Sequence, residues 1–357
     1  NSASGIRLQK SSNNTLRYNI MTNNTYNFGV FGIDFSHFMN DIDVSNTVDG
    51  KPIRYWINMH NAQVPLNAGY VALINCTDIT IKNMYLTKNW EGILIAYTNG
   101  SSVMSNNITN NEYGIQMYRS FNNSILGNNV TRNSVDIYAQ SMSSNNTLSN
   151  NIAGWVRLES HSDNNTLLDN TFSLVYLDSS YNLFMNNDIL SSYDVVLGSI
   201  KVGSPAIHNY IAYNNLMSGP GSIELYHTSN NYVVGNVIAH KRAAGGDGIK
   251  ILDVSSNNVI LHNTIIDCRY GIELVGSSLS DPAQNNTIAG NSIIDNFHSI
   301  HTAYSFKNKI YHNNFINNER GPSVSTFTSL DIWDDGYPSG GNYWSDYNGT
   351  DLHWGSG

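Results

Sequence analysis

The sequence predicts an all-β solenoid, a single-stranded parallel β-helix of about a dozen coils, on three observations. First, an asparagine is followed two residues later by an apolar residue and five residues later by another asparagine. This reads Asn14/Leu16/Asn19, Asn123/Ile125/Asn128, Asn146/Leu148/Asn151, Asn165/Leu167/Asn170, Asn182/Phe184/Asn187 and onward to Asn308/Ile310/Asn313. Copies start roughly 17 to 28 residues apart, the period range of a solenoid. Second, short alternating segments precede these pairs, among them Gly92-Ile93-Leu94-Ile95, Gly114-Ile115-Gln116-Met117, Asp136-Ile137-Tyr138-Ala139, Gly248-Ile249-Lys250-Ile251 and Gly271-Ile272-Glu273-Leu274. Third, no segment carries a sustained 3.6-residue period.

Each repeat thus holds two or three short strands joined by turns rich in Asn, Ser and Gly. Such strands cannot bury a face alone, but coils stacked about 4.8 Å apart can. The asparagines have a physical job in that stack. A side-chain amide carries both a donor and an acceptor, so amides at equivalent corners satisfy one another from coil to coil. Asn also tolerates the left-handed conformation of tight turns. Two columns of asparagine predict two ladders at two corners.

Charged residues make up only 13% of the 357, and the formal net charge is -9. No Lys/Arg cluster exceeds Lys241-Arg242, so nucleic acid is not an expected partner. No apolar run is long enough to span a bilayer, so no transmembrane segment is expected. No signal peptide is present, though a trimmed chain would lack one. Cys76 and Cys268 fall many coils apart, too far for a disulfide, and read as buried free thiols.

The repeat is expected over residues 1–320, with an irregular aromatic cap over 321–357. Residues 45–69 interrupt it with Asp49-Gly50, Pro52, Tyr55-Trp56 and Pro65, and read as an inserted, projecting hairpin. The tail carries Trp333, Tyr337, Tyr343, Trp344, Tyr347 and Trp354, an aromatic plug for the last coil. Asp334, Asp335 and Asp346 there are weak candidates for a structural calcium site. Gly5-Ile6-Arg7-Leu8 already reads as a repeat strand. The first coil then has an open end, the basis for expecting end-to-end self-association or association with other surface proteins. Sequons offer glycosylation candidates at Asn13, Asn23, Asn75, Asn99, Asn107, Asn122, Asn129, Asn145, Asn164, Asn285 and Asn348. In Asn-Asn pairs the second residue is assigned to the ladder and the first is expected to point outward.

Alternation fixes which residues face out. One outward column reads Leu94, Gln116, Tyr138, Arg157, Tyr176, Leu197, Glu224, Lys250, Glu273, His301, and a second includes Ala96, Tyr118, Gln140, Glu159, Asp178, Tyr226. Tyr118, Tyr138, Arg157, Glu159, Tyr176 and Asp178 form a candidate carbohydrate-binding strip: rings stack on sugar C–H faces while charges take hydroxyls. Ordinary sheet-surface pairing produces the same residue types. Glu224, Lys250 and Glu273 read as a salt-bridge ladder. No catalytic set is assigned. Glu159 and Asp178 sit one coil apart, but so do any outward acids on adjacent coils. His208, His227, His240 and His262 fall at different phases, and no His/Cys/Met cluster marks a copper or zinc site.

The Asn-Asn-Thr-Leu/Ile-x-x-Asn repeat, the stretch Val48-Asp49-Gly50-Lys51-Pro52-Ile53-Arg54-Tyr55-Trp56, the segment Ala68-Gly69-Tyr70-Val71-Ala72-Leu73-Ile74-Asn75-Cys76 and the tail from Trp333-Asp334-Asp335-Gly336-Tyr337 to Trp344-Ser345-Asp346-Tyr347 resemble NosD-like proteins. The resemblance covers nearly the whole chain. It implies a right-handed parallel β-helix grouped with carbohydrate-binding proteins and sugar hydrolases. The hairpin and tail are similar to those of surface proteins of methanogenic archaea. The namesake's role in periplasmic copper-centre maturation has no ligand pattern here to carry it, and the family's acidic continuation after the tail is missing. The expected function is therefore an extracellular, cell-surface structural or adhesive component with carbohydrate binding along the strip. The alternatives are a polysaccharide lyase or glycoside hydrolase, and a periplasmic accessory protein for metal-centre maturation.

Overall fold

The computed structural model describes residues 4–190, 199–203, 206–218, 221–240, 245–324 and 329–347. They fall into two compact units, Asn1–Phe172 and Ser173–Gly357. Both are parallel β-helices, as the repeat predicts.

In the first unit a long-strand sheet runs through Lys51–Ile57, Tyr70–Ile74, Glu91–Ala96, Tyr113–Tyr118, Val135–Gln140 and Trp155–Glu159, each parallel to the next. A second sheet runs from His60–Gln63 through Thr77–Lys82 and Ser124–Leu126 to Thr166–Leu168. A third runs from Tyr85–Thr87 through Asn129–Thr131 to Thr171–Phe172. The second unit repeats the plan. Its long-strand sheet comprises Leu174–Asp178, Ser199–Val202, Ile223–Tyr226, Ile249–Leu252, Tyr270–Val275 and His298–Ala303.

Inward columns such as Ile93/Ile115/Ile137 and Ile223/Ile249/Ile272 are fully buried. The glycine of the Gly-Ile-x-Leu strand is required by close approach. A Cβ on Gly248 would lie 2.1 Å from the Gly271 carbonyl oxygen, and one on Gly271 would lie 2.5 Å from that of Ser299.

The ladders have a direction. In the second unit each Nδ2 donates to Oδ1 one coil on, from Asn209 to Asn231 (3.1 Å), Asn258 (3.1 Å), Asn286 (3.0 Å) and Asn308 (2.9 Å). The companion column runs Asn214, Asn236, Asn263, Asn291, Asn313 at 2.9 Å per step. The same amide nitrogens also donate to carbonyls one coil back, as Asn263 does to Val233 (2.9 Å). Asn123, Asn146, Asn165 and Asn128, Asn151, Asn170 do this in the first unit. A ladder of this polarity needs only an acceptor at its last rung. Asp331 supplies it, taking Asn308 Nδ2 at 2.8 Å. A partial third ladder, which the two-column reading missed, joins Asn111 to Asn133 and ends on Asp136. Asp136 also accepts from the backbone amides of Gly154 and Trp155.

In the Asn-Asn pairs whose second residue is the ladder rung, the first sits at positive φ, and it is exposed at Asn122, Asn145, Asn164 and Asn285. Asn13, Asn23, Asn75, Asn107 and Asn129 are exposed as well, and Asn99 is half-buried. Asn348 lies outside the described residues. Cys76 and Cys268 are buried and unbridged.

Three expectations change. Ser4–Gln9 is a repeat strand, but it does not open the main stack. Ser4–Gln9, Thr15–Leu16 and Ile20–Met21 pair with Tyr26–Phe31, Asp41–Ile42 and Thr47–Val48 as a two-coil lobe of their own. Thr47–Val48 then turns antiparallel onto Lys51–Ile57 through Asp49-Gly50. The lobe lies on the outer face of the long-strand sheet, where Phe28, Val30 and Phe38 share a buried cluster with Ala72, Ile74, Leu94, Ala96 and Tyr118.

The hairpin, moreover, is confined to the Asp49-Gly50 turn. Lys51–Ile57 and His60–Gln63 are paired strands of a coil, so residues 45–69 are not a projecting insertion. Finally, the aromatic tail is only partly irregular. Leu330–Ile332 and Tyr343–Trp344 extend two of the sheets by one more coil, and the residues between them carry no strand. Trp344 stacks on Phe315 at 4.1 Å, and Trp354 lies outside the described residues.

Candidate functional site

The outward face of the long-strand sheet differs between the units. In the first, Tyr118 is only 5% exposed, and its hydroxyl donates to the Ile33 carbonyl of the lobe. It is removed from any sugar-facing strip. Beyond the lobe, Tyr113 and Tyr138 stack with centroids 5.6 Å apart and planes 22° apart. The Arg157 guanidinium lies 5.3 Å from the Tyr138 centroid and 5.0 Å from that of Trp155. Tyr138 donates to Glu159 Oε2 at 3.0 Å, and Arg157 Nε donates to Oε1 at 2.6 Å. Tyr138, Arg157 and Glu159 thus lie in mutual contact, with Tyr138 between the ring of Tyr113 and the guanidinium of Arg157. Burial, then the nearby Glu159, raises the Tyr138 hydroxyl pKa, and this phenol stays protonated. Tyr176 belongs to the second unit and is taken with it, and Asp178 stands half-buried at the end of the same strand, Leu174–Asp178.

In the second unit the register aligns Tyr176, Lys201, Glu224, Lys250, Glu273 and His301 on successive coils. Counting by the repeat had put Leu197 next to Tyr176. The register pairs Tyr176 with Lys201 instead, and Leu197 lies outside the described residues. Of the expected Glu224–Lys250–Glu273 ladder the Glu224–Lys250 step is present, no ion pair to Glu273 occurs among the described residues, and Lys201 and Asp247 extend the row. Lys201 Nζ lies 3.2 Å from Glu224 Oε2, and Lys250 Nζ lies 3.7 Å from Oε1. Asp247, which the column reading missed because it precedes its strand, binds Lys250 at 2.8 Å and takes two hydrogen bonds from Arg269 (2.9 and 2.8 Å). Burial works to raise the Asp247 pKa, but Arg269 and Lys250 outweigh it and hold the carboxylate below its ordinary range. Burial, with Asp247 nearby, pushes Glu273 up. At one end of this row a cleft of about 360 Å³ is bounded by Tyr176, Lys201, Val202, Gly203, Glu224 and Tyr226. Tyr226 is 49% exposed. A side chain at Gly203 would reach within 3.0 Å of the Tyr176 hydroxyl and narrow the opening.

A family model described as periplasmic copper-binding protein (NosD) matches residues 161–349, just over half of the chain. The chain belongs to the NosD family. A right-handed β-helix model matches residues 57–172, so the coil is right-handed, as the resemblance implied. No curated protein matches the sequence. Among solved structures, the chain is similar to the periplasmic alginate epimerase AlgG, at 14% identity over 71% of this chain and 66% of that one, with TM-score 0.41. It is also similar to the Azotobacter vinelandii mannuronan C-5 epimerase AlgE6 A-module, at 10% identity over 91% and 86%, TM-score 0.41. A third is the catalytic domain of a GH87 α-1,3-glucanase, at 14% over 96% and 64%, TM-score 0.32. The chain spans just under two thirds of the first and the third. Such likenesses speak to fold and not to activity.

The copper in the NosD family description meets no fitting donor set here. Among the described residues no three His, Cys, Asp or Glu side chains converge. Burial raises both thiols, Cys268 to about 12, so neither offers a thiolate. His227 binds Asp253 and His208 stacks on Tyr181. Among the described residues Asp334, Asp335 and Asp346 form no cation-holding group. Asp334 accepts from the Gly336 amide, and Asp335 from Ser339 at 3.2 Å, each within its own turn.

Proposed function

We propose that this chain is an extracellular or periplasmic polysaccharide-binding β-helix that holds its ligand along the long-strand sheet of the second unit, serving as an adhesive surface component. The observation that carries the reading is the cleft between Tyr176 and Tyr226 over the Lys201–Glu224 pair, opening onto a row of charged side chains. Pockets of this size with a ring wall and a few polar groups suit sugars.

Hydrolysis is the competing reading. Glu224 and Glu273 lie two coils apart, roughly 10 Å by strand spacing, just beyond the carboxylate separation of inverting glycosidases. One experiment separates the two. Electrophoresis through gels containing single soluble polysaccharides is expected to show retardation by at least one polymer, lost in Tyr226→Ala and Lys201→Glu, with no new reducing ends after long incubation. Retardation by none of them overturns the binding reading. Reducing ends that vanish in Glu273→Gln establish hydrolysis instead.

A further inference from the structure

We propose that the ligand of the second-unit row is a linear polysaccharide in which a sugar bearing a carboxylate alternates with one bearing none. This rests on the polysaccharide-binding reading above and narrows it to a chemical class.

Pitch and sign together carry the inference. Lys201, Glu224, Lys250 and Glu273 are direct register partners on successive coils. Each is therefore one strand spacing, about 4.8 Å, from the next. An extended 1,4-linked sugar chain advances by nearly that length per residue. Laid along the row, it offers one sugar to each coil. The row alternates in sign at the same step, so its charge repeats every two sugars.

Three classes of polymer meet this row differently. A chain with a carboxylate on every sugar sets every second one against Glu224 or Glu273, a like-charge clash that acts as rejection. A neutral chain avoids the clash but gains nothing from the lysines. An alternating chain places its carboxylates at Lys201 and Lys250 and its hydroxyls at Glu224 and Glu273. The ammonium groups have the capacity. Each carries three donors, and the carboxylates facing them here are Glu224 for Lys201, and Asp247 and Glu224 for Lys250. Asp247 is also held by Arg269, so it keeps a cation when Lys250 turns to a ligand.

The test measures affinity of the full chain for three polymers at low salt: an alternating glucuronate–N-acetylglucosamine chain, polygalacturonate, and hydroxyethylcellulose. The alternating chain is expected to bind roughly tenfold or more tightly than either of the others, and to weaken as salt rises. Lys201→Gln and Lys250→Gln, each with an unchanged circular dichroism spectrum, are expected to abolish that preference without abolishing weak binding to the neutral polymer. Polygalacturonate or hydroxyethylcellulose binding as tightly as the alternating chain overturns the inference and leaves the binding reading standing. No binding to any of the three, nor to any polymer in the gel experiment, overturns both.

Discussion

The carboxyl group of Glu91 accepts a hydrogen bond from the backbone N–H of Val30 at 3.0 Å, joining the main sheet to the lobe folded over it. The same oxygen accepts from the Tyr70 hydroxyl at 3.0 Å. Glu91 is buried, and burial pushes its pKa from an ordinary 4.5 up to about 7, against the hydrogen bonds and the charge of Arg7. Tyr55, Tyr70 and Tyr113 are the other titratable groups that feel it. The folded chain thus holds this proton more tightly than the unfolded chain. Its contribution is complete below pH 4.5 and is lost as pH rises through about 7, on the order of 3 kcal/mol. Denaturation midpoints are expected to fall across that window in the wild type. In Glu91→Gln, which keeps an acceptor and cannot ionise, they are expected to stay level.

Asp247 behaves oppositely. Its pKa is held down by Arg269 and Lys250, so its stabilisation is present at neutral pH and lost as pH falls through the folded pKa. It is only 3% exposed, whereas Arg269 is 49% exposed and Lys250 also faces Glu224, so solvent and Glu224 compensate part of the loss. Asp247→Ala is expected to cost about 1–2 kcal/mol at pH 7. The gap to wild type in urea denaturation should close in acid.

Both cysteines are buried, with thiols shifted away from ionisation. A thiol-reactive disulfide reagent at pH 8 is expected to label neither in the folded chain and both after denaturation. Rapid labelling of the native protein would mean that the coils around Cys76 or Cys268 open.

Much of this fold was legible because the repeat encodes it twice, in the amides and in the apolar alternation. Asn263 and Ile260 each had one physical place to go. The lobe was harder, since Gly5-Ile6-Arg7-Leu8 forms a repeat strand whichever stack it joins, and no local signal says which. A non-local signal did exist. Leu94 and Ala96 are apolar at outward positions, and Tyr70–Ile74 is apolar throughout, as in a strand covered on both faces. That run called for something to lie on the sheet, and it is the lobe. In the candidate site, Glu224, Lys250 and Glu273 followed from alternation. Lys201 and Asp247 did not, because the spacing between copies of the repeat varies, so counting along the sequence does not fix which residue falls beside which. The sugar strip failed at Tyr118 because exposure depends on what covers a face, not on the direction a side chain leaves its strand.

The stack itself rests on amides that accept from one coil and donate to the next. Asn263 is fully buried. Its Oδ1 takes two hydrogen bonds from Asn236, and its Nδ2 serves Val233 and Asn291. The most direct measurement is the unfolding free energy of Asn263→Asp beside that of Asp331→Asn. The first keeps the acceptor and loses both donors in the interior, with an expected loss of about 3–5 kcal/mol that shrinks in acid as the carboxyl regains a proton. The second changes a last rung where only an acceptor is needed, with an expected change under about 1 kcal/mol. Equal and small losses at the two positions would contradict a ladder that carries the fold.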